Sequence, residues 1–190
     1  RGPQGRGSLA AAGLTGANAS PRVLYMGTLS KAAGVAGGFV AGSEDLIEWL
    51  LQTTRSYTFA TAAPALLARA LQASVQLLER GDSLRARLQA RIGQLRTGLE
   101  PLLARTGWQL LPSDTPIQAL IIRDNAQALQ CMDVLHQRGL WVPAIRPPTV
   151  PAGTARLRIA LSAAHTESDV AVLLNALEEM PRVTPTVEAP

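Results

Sequence analysis

Between residues 107 and 180 the hydrophobic pattern changes period repeatedly, and this constrains the fold more than any other feature of the chain. WQLL (108 to 111), IQALIIR (117 to 123), LWVPAI (140 to 145) and ARLRIAL (155 to 161) are apolar runs of strand length. Helical stretches interrupt them. One runs from about 125 to 138 with Gly139 as its stop, and the last opens at Thr166 and Asp169, a T-x-x-D capping box. The order strand, strand, helix, strand, strand, helix predicts a compact α+β domain. Ahead of it, Leu84, Leu88, Ile92, Leu95, Leu99 and Leu102 step by three or four, predicting a long amphipathic helix from 82 to about 105. Arg85, Arg87, Arg91 and Arg96 fall on its other faces and read as a solvated surface.

The first 80 residues read differently. RVLYMG (22 to 27) and GGFVAG (37 to 42) predict two strands flanking a Gly-rich loop that carries Thr28, Ser30 and Lys31. Ser43 is expected to cap a helix that has Glu44 and Asp45 in its first turn, buries Leu46, Ile47, Leu50 and Leu51, and ends near Arg55. SYTFATAAP has no period and closes on Pro64, which opens a helix running to about 80. The organisation expected is therefore one domain ending near residue 80, a second over 81 to 180, and a Pro-containing frayed tail over 181 to 190.

Composition narrows the function classes. No apolar run reaches the roughly 18 residues of a spanning helix, and no basic start with an apolar stretch marks export, so no membrane role and a cytoplasmic location are expected. Cys131 is the one cysteine and there are two histidines, too few for a Cys/His zinc cluster, so no metal site is expected. The net charge is +4, but the arginines are scattered and aromatics make up 4%, which leaves no base-stacking platform; nucleic acid is not an expected partner. Arg1 is not an initiator Met and RGPQGRGSL reads as a loop already under way. The chain is expected to be the C-terminal portion of something longer.

Of the 18 cationic side chains only Lys31 is a lysine. Guanidinium stays protonated and cannot act as a nucleophile, so an amine reserved for this position suggests chemistry. Its setting, GTLSKAAGVAGG (27 to 38), has hydroxyls three and one residues before the amine and small residues after it. That suits a Schiff-base lysine beside a phosphate, with Thr28 able to donate to a phosphate oxygen. A plain Gly-rich turn would not account for the single lysine. A second feature is IRPPTVPAGTARLRIAL (145 to 161). Its prolines stiffen the loop that begins at Arg146, and strand alternation puts Arg156 and Arg158 on one face opposite Leu157, Ile159 and Leu161. These two arginines are equally open to carboxylate recognition and to a plain surface role.

TLSKAAGVAGG, FATAAP and RPPTVPAGTARLRIALSAAHT together resemble the α-oxoamine synthases, which are fold type I pyridoxal-phosphate enzymes. The resemblance implies an α/β fold, with the end of a large cofactor-binding domain followed by a small α+β domain. It implies pyridoxal phosphate on Lys31, Thr28 on the cofactor phosphate, and Thr61 reaching the phosphate held by the other subunit of a homodimer. Arg158 would hold the amino-acid carboxylate, with Arg146 a second arginine near the substrate. RPPTVP is closest to the branch acting in biotin biosynthesis, which implies a decarboxylating condensation of L-alanine with a pimeloyl thioester on coenzyme A or acyl carrier protein. A glycine acyltransferase of the same family, a noncatalytic subunit and a bare interaction module remain alternatives. Ala60 and Ala62 stand where the family often has a hydroxyl beside the matching threonine. By the same resemblance, the Asp that pairs with the cofactor ring nitrogen and the His that stacks on the ring belong upstream of Arg1, so the 190 residues alone are expected to be inactive.

Overall fold

The computed structural model describes residues 2–180 and divides into two compact units at residue 82. The predicted tail, 181 to 190, lies outside the described residues. In the first unit a short helix α1 (Gly7–Ala11) precedes strands β1 (Tyr25–Thr28) and β2 (Gly38–Ala41), which pair antiparallel with Thr28 opposite Gly38. Helices α2 (Glu44–Thr53), α3 (Arg55–Thr58) and α4 (Ala65–Glu79) follow. Both predicted strands form. SYTFATAAP, which lacks period, contributes the single turn α3 before running on as coil.

Two details of this unit differ from expectation. Ser43 occupies the N-cap position of α2 but its side chain makes no capping hydrogen bond. The predicted buried stripe is only half-buried at Leu46, Ile47 and Leu50, and Leu51 is exposed. A two-stranded sheet and three helices present too little area to cover an apolar helix face. Val35 is the one hydrophobic side chain of this unit that is buried among the described residues.

The second unit is built on α5 (Asp82–Thr106), followed by β3 (Gln109–Leu110), β4 (Ile117–Arg123), α6 (Asn125–Gln137), β5 (Ala144–Ile145), β6 (Ala155–Ala160) and α7 (Glu167–Glu178). The strands form one antiparallel sheet in the order β3-β4-β6-β5. Leu120, Ile122, Ala155, Leu157 and Ile159 lie on one face of it and join the buried side chains of α5, α6 and α7 in a single core. The period read for α5 holds from Ile92 to Leu102, all buried; Leu84, one turn in, stays exposed. Gly98 lies where α5 meets α7, and a Cβ there would make the Leu174 side chain shift. Gly139 takes φ +77° after α6, a backbone conformation that favours glycine.

The capping box forms as read. Thr166 N donates to Asp169 Oδ2 at 2.7 Å, and Asp169 N donates back to Thr166 Oγ1 at 3.2 Å. The Thr166 N–H and the Thr166 hydroxyl, which donates to the same Oδ2 at 2.8 Å, hold the Asp169 carboxyl below its ordinary pKa. The four arginines of α5 do not form the uniform solvated surface expected. Arg91, whose side chain is 12% exposed, bonds Glu167 at 2.6 Å. Arg96 donates through Nη1 to Oε1 of the fully buried Gln118 at 2.8 Å, and Gln118 Nε2 donates to the carbonyls of Thr115 (2.7 Å) and Ser113 (3.2 Å). This cluster pins the connection between β3 and β4. The run expected as a strand over 140 to 145 pairs only at Ala144 and Ile145. Pro143 has no N–H to extend the ladder, although its carbonyl still accepts Arg158 N at 2.9 Å.

Candidate active site

Lys31 lies in the connection between β1 and β2. Leu29 N donates to Gly37 O (2.9 Å), Val35 N to Leu29 O (2.9 Å) and Gly34 N to Lys31 O (3.0 Å), closing the chain into a tight knot. Gly34 at φ +64° and Gly37 at φ +111° supply backbone conformations that a side chain would strain. Ser30, Lys31 and Ala32 are left on the outside, while Val35 is buried. The lysine amine is thus presented on a turn with small neighbours. It makes no ion pair among the described residues.

Thr28 ends β1, three residues before the lysine, and shares the exposed face of that strand with Met26. On the hairpin Phe39 stands opposite Gly27, and its ring occupies the space where a Gly27 Cβ would be. A hollow of about 500 Å³ opens beside it, lined by Met26, Thr28, Phe39, Ile47, Leu50 and Tyr57 among others. Thr28 is therefore the link between the lysine turn and an apolar recess. Thr61 lies elsewhere in this unit, on the exposed coil after α3. No hydrogen bond from its hydroxyl is formed among the described residues.

A feature the sequence did not announce completes the turn. Ser74 on α4 donates its hydroxyl to Ala33 O at 2.7 Å, two residues past the lysine. The one available signal was its place in the row Leu67, Leu71, Ser74, which are the half-buried positions of α4.

In the second unit, Arg146 is exposed directly after β5, and its carbonyl accepts Thr149 N at 3.0 Å to close the first turn of the Pro-rich loop. Arg156 and Arg158 share a face of β6, as strand alternation requires, but their circumstances differ. Arg156 donates from Nε to Thr154 O (3.0 Å) and from Nη2 to Thr154 Oγ1 (2.9 Å). Arg158 is exposed, stands opposite the small Ala119 of β4, and its guanidinium has no partner among the described residues. Thr28 and Lys31 thus belong to one hairpin of the first unit, and Arg146 and Arg158 to the second.

The first unit's donor set fits the cofactor that the resemblance implies. A primary amine without an ion-pair partner can condense with an aldehyde, a strand-end hydroxyl can donate to a phosphate, and Ala32, Ala33 and Gly34 put no bulk beside the amine. Among the described residues there is no cluster of metal-ligating side chains, and no helix is long and apolar enough to cross a membrane.

Comparison with known proteins identifies the family. The model of the aminotransferase class I and II family matches residues 4–177, and the chain belongs to that family. It is 72% identical over 184 residues to an 8-amino-7-oxononanoate synthase of Delftia acidovorans, an alignment covering 97% of this chain and 45% of that protein. The solved 8-amino-7-oxononanoate synthase of Francisella tularensis superposes with a TM-score of 0.77 at 26% identity, covering 93% of this chain and 50% of the other. A serine palmitoyltransferase of Sphingomonas wittichii superposes at 0.79 with 31% identity, covering 93% and 43%. Further serine palmitoyltransferase structures of the same likeness were solved with PLP. The chain spans about half the length, or less, of the relatives it matches.

Proposed function

We propose that this chain supplies the lysine-bearing and carboxylate-binding part of a pyridoxal-phosphate-dependent 8-amino-7-oxononanoate synthase. The reaction joins L-alanine to a pimeloyl thioester, on coenzyme A or acyl carrier protein, with loss of carbon dioxide. The observation that carries this reading is the sole lysine of the sequence, held on a closed turn three residues after Thr28. The 72% identity to a synthase of that name supports the choice of substrates. Residues 1 to 80 read as the end of the cofactor-binding domain and 81 to 180 as the small domain.

Pyridoxal phosphate, when bound, supplies a carbonyl for amine condensation and a conjugated ring that takes up the electron pair released at Cα. Lys31 would hold the cofactor through Nζ, and the same amine, when free, would be the base that removes the alanine Cα proton. Thr28 Oγ1 donates to the cofactor phosphate. Arg158, whose guanidinium is uncommitted, takes the alanine carboxylate in a bidentate bond and so orients the Cα–H bond. Arg146 is a second cation near the substrate. Alanine Cα would bond to the thioester carbonyl carbon as the C–S bond breaks, the departing thiolate taking a proton from water; the Cα–carboxylate bond would then break to release carbon dioxide, and the proton held on Lys31 Nζ would return to Cα.

The active unit is a two-fold homodimer in which Thr61 serves the phosphate site of the opposite subunit. Phe59 and Leu66, which flank that threonine at 89% and 78% exposure, form an apolar surface suited to a second copy. A cytoplasmic setting suits the free thiol of Cys131. The test is thiol release by the protein as its gene encodes it, loaded with pyridoxal phosphate. L-Alanine with pimeloyl-CoA should support turnover, and glycine or L-serine with other acyl thioesters should not. A preference for glycine with a short acyl thioester would replace this reading with the acyltransferase alternative.

A further inference from the structure

We infer that Ser74 is a positioning residue for Lys31, an inference that rests on the reading of Lys31 as the cofactor-bearing lysine. A hydroxyl on a helix can bond back to the carbonyl four residues earlier. Thr53, Thr58 and Thr106 of this chain do so, to Trp49, Thr54 and Leu102. Ser74 does not. It reaches across to Ala33 O, 41 residues earlier, at 2.7 Å from a partly buried position. The acceptor belongs to the lysine turn, between the Lys31 carbonyl that takes Gly34 N and the buried Val35.

The β1–β2 ladder clamps the two ends of the turn at Thr28 and Gly38, but little beyond it holds the tip that carries the lysine. Ser30, Ala32, Ala33 and Gly34 bring almost no apolar surface to pack, and the bonds from Leu29, Gly34 and Val35 are internal to the turn. Internal bonds fix the shape of a loop but not its orientation against the rest of the unit. Val35 supplies one anchor by burial, and Ser74 supplies a second on the far side of Gly34. With the strand ends, these two anchors fix the direction in which the Lys31 stem leaves the chain. Ser74 acts through the backbone and has no contact with the amine.

The test uses the protein as encoded, with Ser74→Ala, Ser74→Val and Ser74→Thr. Val and Thr have the same shape, so a difference between them reports the hydroxyl alone. Two measurements are made: amide hydrogen exchange across residues 29 to 37 without cofactor, and the yield of pyridoxal phosphate fixed on Lys31 by borohydride at limiting cofactor. Ser74→Ala and Ser74→Val should speed exchange in the turn by roughly two- to tenfold, the span expected from one neutral hydrogen bond, and should lower capture at Lys31 by a similar factor. Ser74→Thr should stay near the parent in both. Faster exchange with unchanged capture would overturn the inference, leaving Ser74 a purely structural residue, as would unchanged exchange in the turn. If the parent captures no cofactor at Lys31, the reading of the lysine itself fails and the inference falls with it. If Ser74→Ala does not fold, the Val and Thr pair decides.

Discussion

Replacing Arg158 and Arg156 one at a time separates two arginines that strand alternation leaves equivalent. Both lie on one face of β6, but Arg156 already spends Nε and Nη2 on Thr154, at 3.0 and 2.9 Å. Arg158 spends nothing among the described residues and faces Ala119, which leaves space above the sheet. A bidentate guanidinium–carboxylate contact consists of two charge-assisted bonds, and losing it should cost about 2 to 4 kcal/mol in kcat/KM for alanine. At about 1.4 kcal/mol per decade, that is roughly 30- to 1000-fold. Arg156→Ala should instead lower folding stability by about 1 kcal/mol through the lost tie to Thr154 and leave kcat/KM within about twofold. The assay is alanine titration of the cofactor-loaded protein by absorbance, with thiol release for turnover and urea unfolding for stability. Arg158→Ala should bind cofactor with an unchanged spectrum yet need far more alanine. If Arg156→Ala weakens alanine binding while Arg158→Ala is silent, the assignment of the carboxylate arginine is wrong.

Other consequences follow from the second unit. Arg96→Ala leaves the buried amide of Gln118 without the donor to its Oε1, and should lower stability by about 1 to 3 kcal/mol, read as a lower urea midpoint with an unchanged slope. The Asp169 carboxyl is held below its ordinary 3.8 by the Thr166 N–H and hydroxyl. Its contribution to stability is therefore complete above that value and is lost as the pH falls through the depressed folded value, so Asp169→Asn should flatten the acid limb of stability against pH. Cys131 is buried and its thiol is pushed up to about 11, so a disulfide reagent at pH 8 should label it only as the protein unfolds.

The parts of the fold legible in the sequence are those decided by local spacing. The alternation of Arg156 and Arg158 against Leu157 and Ile159, the step of three and four from Ile92 to Leu102, and the Thr166–Asp169 box all depend on residues within a few positions of one another. What escaped depends on distant partners. Arg91 and Arg96 sit on polar faces of their helix, yet Glu167 is 76 residues away and Gln118 is 22, so no helical wheel reveals the bonds they make. Ser74 is hidden for the same reason. The half-exposed stripe of α2 has a different cause: its period predicts an apolar face correctly, but a spacing pattern carries no information about whether enough structure is present to cover it. Of the candidate site, Lys31 and Thr28 were legible because composition singled out the one amine and spacing put a hydroxyl beside it. Alternation puts Arg156 and Arg158 on one face, so Arg158 was singled out by the family resemblance alone; the bonds that engage Arg156 with Thr154 lie outside what spacing can show.

Lys31, the sole lysine of this chain, should carry pyridoxal phosphate. Borohydride reduction of the protein as encoded, in the presence of pyridoxal phosphate, followed by peptide mapping, tests it directly. Reduction should place one phosphopyridoxyl group on the peptide containing Lys31, alanine added beforehand should remove that label, and Lys31→Arg, which cannot condense with the aldehyde, should carry no label at that position. Label on another lysine of the encoded protein, with Lys31 unmodified, would contradict it.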